Sequence, residues 1–175
     1  MATDKVTIEQ AIRNIQEAGG KVVRKKGPFW ELLHRIVKYI TFGGNDRFLK
    51  GYYTTLGPIV GVPEGRDADP ATLEHELVHI NQAKKFGAGN PWAGLPIFGI
   101  LYLLLPLPMG LAYFRYRFER VAYVRGINVK MANQGHQKSR EYLIEAAVKQ
   151  LTTGAYGWTW PFPKAVKAYL EENVD

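Results

Sequence analysis

The chain has 175 residues, the size of one domain with a single core. Its 46% hydrophobic and 22% charged residues exclude a disordered chain, and the absence of cysteine excludes disulfides and thiolate metal sites. The formal net charge is +7, but no Lys/Arg block is longer than residues 24–26 and no nucleic-acid signature occurs, so we expect no specific nucleic-acid partner.

The first third of the chain predicts helices followed by a small sheet. Thr7-Ile8-Glu9-Gln10 forms a capping box that opens a helix, and Pro28 stands where a second helix can begin. The runs GYYTTLG (51–57) and IVGV (59–62) are aromatic or β-branched and are bounded by Gly and Pro, which is typical of short strands. We expect these two strands to form an antiparallel sheet.

The remainder of the chain is predicted to be helical. Asp69-Pro70 combines an N-cap residue with proline at the first helical position, so a helix begins there and runs to about Lys85. An uncharged stretch, residues 86–114, is followed by a basic helix. The predicted fold class is α+β, a single mainly helical domain over residues 1–175, with N-terminal helices (1–50), a small sheet (51–66), central helices with the apolar insert (69–126) and C-terminal helices (138–175).

The stretch HELVH lies in the middle of the helix that begins at Pro70. Residues four apart share one face of a helix, so His75 and His79 are spaced to bind one zinc ion. Glu76 lies one step round, where a carboxylate can act as general base on a metal-bound water. The alternative is an ordinary pair of histidines in the core or on the surface.

A catalytic zinc site needs a third protein ligand, which without cysteine must be a histidine or a carboxylate. Glu119 is favoured because it lies on the downstream helix, with a small alanine on the same face that lets the two helices approach closely. A surface pair of Glu119 with Arg115 or Arg120 is the competing interpretation. His34 is expected to be an ordinary core or surface residue, and His136 to be solvated.

Three further polar residues lie close to these motifs. Gln82, three residues after His79, is either a hydrogen-bond partner that orients a ligand or a plain surface side chain. Tyr123, on the face of Glu119, either donates its hydroxyl to a developing oxyanion or packs as an aromatic ring. Glu74 is expected to be a solvated helix residue.

HELVHINQ, the apolar stretch, FERVAY and LTTGAYGW together resemble small bacterial and phage proteins that share HExxHxxQ and ExxAY patterns, and more broadly the gluzincin class of zinc metallopeptidases. The resemblance covers about residues 51–170. It implies a zincin-like fold with His75, His79 and Glu119 as zinc ligands and Glu76 as the base. Many gluzincins carry an acidic residue four positions after the third ligand, which orients one histidine. Tyr123 stands at that position here, so the orienting contact must come from elsewhere.

The resemblance implies a zinc-dependent metallopeptidase that hydrolyses peptide bonds, with Zn²⁺ as cofactor and a peptide or protein as substrate. In zincins a strand before the metal helix pairs with the extended substrate, and the runs 51–57 and 59–62 occupy that place in the sequence. A hairpin that only closes the core fits the same residues. The alternative functions are a non-catalytic zinc-binding protein and a membrane-surface-associated interaction protein.

Residues 86–114 are long enough to cross a membrane, but prolines and glycines interrupt them. A single crossing would also place His75 and His79 ~30 Å from Glu119. A buried core or lid, a contact with the membrane surface helped by the arginines of the basic helix, and a true span all stay open, in that order of preference. Because the first residues lack a secretory signal, we expect a cytoplasmic protein, with peripheral membrane association as an option.

Overall fold

A computed structural model describes residues 4–40, 48–104, 111–134, 139–153 and 159–175. These residues form a small, mainly helical α+β domain, as the sequence predicts. The helices are α1 (Ile8–Glu17), α2 (Pro28–Ile40), α3 (Phe48–Gly51), α4 (Pro70–Phe86), α5 (Pro91–Leu104), α6 (Tyr113–Gln134), α7 (Arg140–Thr152) and α8 (Pro163–Asn173). The strands are β1 (Lys21–Arg24), β2 (Thr54–Leu56) and β3 (Ile59–Val62).

The sheet has the strand order β1-β3-β2. The predicted antiparallel pair is present as β2 and β3, but β1 pairs with β3 in parallel and makes the sheet mixed. Residues 1–50 therefore contain a strand as well as helices, which corrects the prediction of helices alone. The run KVVR has two adjacent valines between basic residues, so it lacks the alternation that identifies a half-buried strand. The run 51–57 also contributes less strand than predicted, because its first residue ends α3 and the strand itself covers only Thr54–Leu56.

Helix α4 begins where the sequence predicts. The Asp69 side chain accepts a hydrogen bond of 2.9 Å from the backbone N–H of Thr72, Pro70 occupies the first turn, and Gly87 follows the last residue. α4 packs against α1, β2, α5 and α6, so it is buried on most of its circumference. The buried polar residues of α4 therefore need hydrogen-bond or ion-pair partners within the protein.

Two apolar clusters lie on either side of α4 and α6. The first joins α1, β3 and α4 and contains Ile15, Val60, Leu73 and Ile80, while the second joins α6, α7 and α8 around Leu151. The packing of α4 against α6 is the most extensive contact between elements in the described residues. The HELVH motif and Glu119 face each other across it.

Helix α5 carries much of the apolar stretch. The Asn90 side chain accepts hydrogen bonds from the backbone N–H groups of Trp92 and Ala93 at its start. At Gly94 the backbones of α4 and α5 touch, because a Cβ there would clash with the carbonyl oxygen of Ala83. Within the described residues, no helix combines the length and the apolar character needed to cross a membrane.

Lys25, next to β1, is a buried cation. Its Nζ donates hydrogen bonds to the carbonyl oxygens of Phe48 and Tyr52 and to Thr54 Oγ1, at 2.9, 2.7 and 2.6 Å. The Phe48 ring lies 3.9 Å from the same nitrogen. Burial lowers the pKa of Lys25 to about 8, against the opposing effect of the Glu76 charge. This lysine ties β1 to α3 and β2.

Candidate metal centre

His75 and His79, one turn apart on α4, and Glu119 of α6 converge on one point. The two Nε2 atoms lie 3.3 Å apart. Glu119 faces both rings, with Oε2 at 3.3 Å from His75 Nε2 and Oε1 at 3.5 Å from His79 Nε2. Glu119 is fully buried and His79 nearly so, while His75 keeps a small exposed area. The competing interpretation, an exposed pair of Glu119 with an arginine, does not fit this burial.

The separations between the donor atoms can be compared with known coordination geometries. Donors bound to a tetrahedral zinc ion at ~2.0–2.1 Å lie about 3.3 Å from one another, whereas neighbouring donors of an octahedral ion at ~2.1 Å lie about 3.0 Å apart. The observed 3.3 Å between the two Nε2 atoms matches the tetrahedral case, while the carboxylate lies 3.3 Å from His75 through Oε2 and 3.5 Å from His79 through Oε1. Because each ring faces a different oxygen, the carboxylate can offer either one or both to an ion.

The hydrogen bonds of Gln82 determine the tautomer of His79. Gln82 Nε2 donates to the carbonyl oxygen of Phe118 at 3.0 Å, and this fixes the orientation of the amide. Gln82 Oε1 then faces His79 Nδ1 at 2.9 Å, so that nitrogen must carry the hydrogen. The Nε2 of a neutral His79 is therefore a bare acceptor directed at the cluster. Gln82 is buried and contacts a ligand candidate, as the first of its two predicted interpretations requires.

The backbone of Ala122 on α6 lies close to His75 and adds a small contribution that raises the pKa of this histidine. Two imidazole acceptors and a carboxylate thus point at one another in a buried volume. Such a set of electron-pair donors is stable only with a cation among them, either a proton on one ring or a metal ion. The donor set of two histidines and one glutamate suits zinc.

The electrostatics of the cluster agree with this need for a cation. Burial alone would lower the pKa of His75, but the hydrogen bond and the charge of Glu119 more than offset it, so the pKa is raised above the usual value. Burial works the opposite way on Glu119, and the two histidines outweigh it, so that its pKa lies well below the usual range. The carboxylate is therefore ionised.

Glu76 lies beside the cluster and faces the sheet. Its Oε2 accepts a hydrogen bond of 2.7 Å from Thr55 Oγ1, on the outer strand β2. The Glu76 side chain is buried, so this hydroxyl group and the helix α4 together fix the direction of the carboxylate. The sequence places a glutamate at this point, but Thr55 could be recognised only once β2 was seen to lie next to α4.

Tyr123 contacts His75 with the edge of one ring towards the face of the other, at 5.0 Å between centroids. Burial, followed by the charge of Glu119, raises the pKa of Tyr123 well above its usual value. The hydroxyl group therefore stays protonated and can only act as a neutral donor or acceptor. Its position beside the cluster leaves both predicted interpretations, oxyanion donor and packed ring, in place.

Tyr102 of α5 is a site residue that the sequence reasoning missed. Its hydroxyl group donates a hydrogen bond to Glu119 Oε1, and its ring lies edge-on to His79 at 5.9 Å between centroids. Phe98, one turn earlier, packs against His79 as well. Tyr102 is the one hydroxyl-bearing residue between Gly87 and Ala112, and that isolated polar group in an apolar stretch was the available signal.

The chain has two other histidines, His34 and His136. His34 stacks on Phe48 with ring centroids 6.2 Å apart and belongs to a different part of the molecule, as expected. His136 lies outside the described residues. Within the described residues, the group of His75, His79 and Glu119 is the one that brings three such side chains within metal-binding reach.

The prediction that Glu74 is solvated is wrong. Glu74 is almost completely buried, and its Oε2 accepts hydrogen bonds of 2.8 and 2.6 Å from Arg125 Nε and Nη2. Asn14 Nδ2 donates to its other oxygen at 2.6 Å. The prediction failed because α1 and α6 cover the side of α4 that a single amphipathic helix would expose.

Comparisons of the chain with protein-family models, with curated proteins and with solved structures gave no match. The class of the protein is therefore defined by its own fold and site. It is a small α+β domain in which two helices bring two histidines and a glutamate within metal-binding distance of one another.

Proposed function

We propose that the protein is a zinc-dependent hydrolase of the metallopeptidase type. The observation that carries the proposal is the convergence of His75, His79 and Glu119 within metal-binding reach of one another, with the two Nε2 atoms 3.3 Å apart. The resemblance of HELVH and FERVAY to gluzincin motifs supports the same ligands. Cytoplasmic location and the choice of peptide as substrate rest on the sequence alone.

A bound zinc ion would polarise a carbonyl group and lower the pKa of a coordinated water toward ~7. Glu76 would accept the proton of the attacking water and pass it to the amine nitrogen that leaves. Thr55 holds the Glu76 carboxylate in place through its hydrogen bond. Tyr123, with its neutral hydroxyl group, would donate to the oxygen on which negative charge develops.

A non-catalytic zinc site is the second candidate, and one observation favours it. Tyr102 and Phe98 of α5 pack against the cluster, and two of the three ligand candidates are almost completely enclosed. A purely structural ion needs no open coordination position. Glu76 separates the two candidates, because a structural site has no use for a base.

The first test is the metal content of the full chain, purified without chelator. We expect about one zinc ion per chain, and loss of that ion in His79→Ala. A protein that takes up no zinc even when it is supplied, or that binds it equally well without His79, contradicts the proposal.

The second test is hydrolysis of a proteome-derived peptide library, read by mass spectrometry. Glu76→Gln should retain zinc and lose cleavage by about 10²-fold or more, whereas Glu64→Gln, at an exposed position, serves as the matched control and should cleave normally. Cleavage that survives Glu76→Gln excludes this site as the catalyst. Zinc binding without cleavage of any peptide supports the non-catalytic candidate.

A further inference from the structure

Helix α5 has two apolar sides and only one of them is covered. Its inner side, with Phe98 and Tyr102, packs on the metal centre. Between residues 91 and 102, every exposed residue is apolar, namely Trp92, Ala93, Pro96, Ile97 and Ile100. Trp92, Ile97 and Ile100 are each 50% exposed. A helix that is apolar all round is normally buried, so this outer face lacks its usual cover.

The charged residues that precede and follow α5 in the sequence have one sign. Residues 77–118 contain no aspartate or glutamate, and their charged residues are Lys84, Lys85, Arg115 and Arg117. The two lysines lie in the last turn of α4, directly before α5, and Arg117 is exposed near the start of α6. An apolar face with cations before and after it is complementary to a surface that is apolar inside and anionic outside.

We propose that the outer face of α5, residues Trp92, Pro96, Ile97 and Ile100, docks on an anionic membrane surface. With 14 residues the helix is about 21 Å long, shorter than the ~30 Å hydrocarbon core, so it lies along the interface and does not cross it. Isoleucine side chains enter the boundary of the acyl chains, and Trp92 lies at headgroup level, where tryptophan is enriched.

A lipid surface fits this face better than a protein partner does. Protein interfaces surround an apolar centre with polar groups that form hydrogen bonds. Apart from the indole N–H of Trp92, the exposed residues 92–100 offer no side-chain group for such bonds. The neighbouring cations instead suit phosphate headgroups, each contributing about 1 kcal/mol near a membrane surface.

The test is co-sedimentation of the full chain with two kinds of vesicle, phosphatidylcholine alone and phosphatidylcholine mixed with phosphatidylglycerol. We expect binding to the anionic vesicles at low salt, and weaker binding at high salt or to phosphatidylcholine alone. No binding to either vesicle overturns the proposal. The measurement is repeated with chelator and with zinc, and because the proposal does not depend on the metal, the result should be the same.

Two pairs of substitutions locate the contact. Ile97→Ser with Ile100→Ser should lower the partition coefficient by about tenfold or more. The matched control is Leu32→Ser with Ile36→Ser on α2, at residues that are 58% and 45% exposed. This control should change binding by less than about twofold. A larger loss in the α2 pair than in the α5 pair overturns the proposal.

A third variant, Lys84→Gln with Lys85→Gln, tests the charges without altering the apolar face. It should reduce binding to the anionic vesicles by about tenfold and leave phosphatidylcholine binding unchanged. Light scattering tests whether a second copy of the chain, instead of a membrane, covers this face. If the protein is a dimer that the α5 pair converts to a monomer, the face is a contact between two copies of the chain and the proposal fails.

Discussion

Two of the buried carboxylates on helices α4 and α6, Glu74 and Glu119, have different kinds of partner. Glu74 is bonded to the guanidinium of Arg125, a permanent cation, and to Asn14. Glu119 faces His75 and His79, whose charge depends on protonation. A carboxylate paired with a permanent cation has its charge balanced, and such a pair contributes to the packing of the helices. A carboxylate with only titratable partners leaves a place for an exchangeable cation.

The largest expected effect separates the two carboxylates by metal binding. Glu119→Gln removes the one anionic ligand candidate and should weaken zinc binding by about 10³-fold or more, equivalent to about 4 kcal/mol. Glu74→Gln should leave zinc binding within about threefold of the parent chain. Competition with a chromophoric chelator measures both. Equal losses of zinc affinity in the two variants would show that Glu74 and Glu119 do not have separate functions.

For the free energy of unfolding, the Glu74 ion pair should be the important one of the two. Arg125→Met leaves Glu74 buried without its cation and should lower the free energy of unfolding by about 3 kcal/mol. Chemical denaturation of the metal-free protein measures this effect. Arg117→Met, at an exposed position of the same helix, is the matched control and should change the stability by less than about 0.5 kcal/mol. If Arg125→Met leaves the free energy of unfolding unchanged, the buried Glu74 does not need the arginine as its partner.

Substitution of the residues that orient the ligand candidates should have intermediate effects on zinc binding. Gln82 fixes the tautomer of His79, and Tyr102 donates to Glu119. Gln82→Ala and Tyr102→Phe should each weaken zinc binding by about 10- to 100-fold. Tyr142→Phe, on the exposed side of α7, is the control for removal of a hydroxyl group. If Tyr102→Phe binds zinc as tightly as the parent, α5 only covers the site and does not position its ligands.

The smallest effect is the response of zinc binding to pH. The ion binds unprotonated imidazoles, and the raised pKa of His75 means that protons compete from a higher pH than for an ordinary histidine. Affinity should therefore fall as pH falls below that pKa, by about tenfold per unit for each proton displaced. His34→Ala, away from the cluster, should not alter this curve. A flat profile between pH 8 and about 6 would contradict protonation of the ligands.

The parts of the molecule that local sequence determines were predictable. The Asp69-Pro70 start fixes α4, and the spacing of His75 and His79 follows from the helical repeat. The approach of Glu119 was expected from the small Ala122 on the same helix face and from the resemblance to gluzincin motifs. The class of fold was confirmed, and the predicted antiparallel pair of strands is part of its sheet.

What could not be predicted depends on contacts between distant segments. β1 is four residues long, and only its pairing with β3 makes it a strand. The burial of Glu74 follows from α1 and α6 closing on α4, and the role of Tyr102 from the crossing of α5 at Gly94. None of these pairings has a periodic signal within its own segment.

The lowered pKa of Lys25 makes the stability of the protein depend on pH in the alkaline range. Its ammonium group loses hydration on folding and has a pKa of about 8 in the folded chain, against about 10.4 for an unperturbed lysine. The unfolded chain therefore binds this proton more tightly, and the folded state gains stability as pH rises from about 8 to 10. Thermal unfolding followed across that range should show the gain in the parent chain and its absence in Lys25→Met. The strand that carries Thr55 is thus anchored by a group whose desolvation opposes folding at neutral pH.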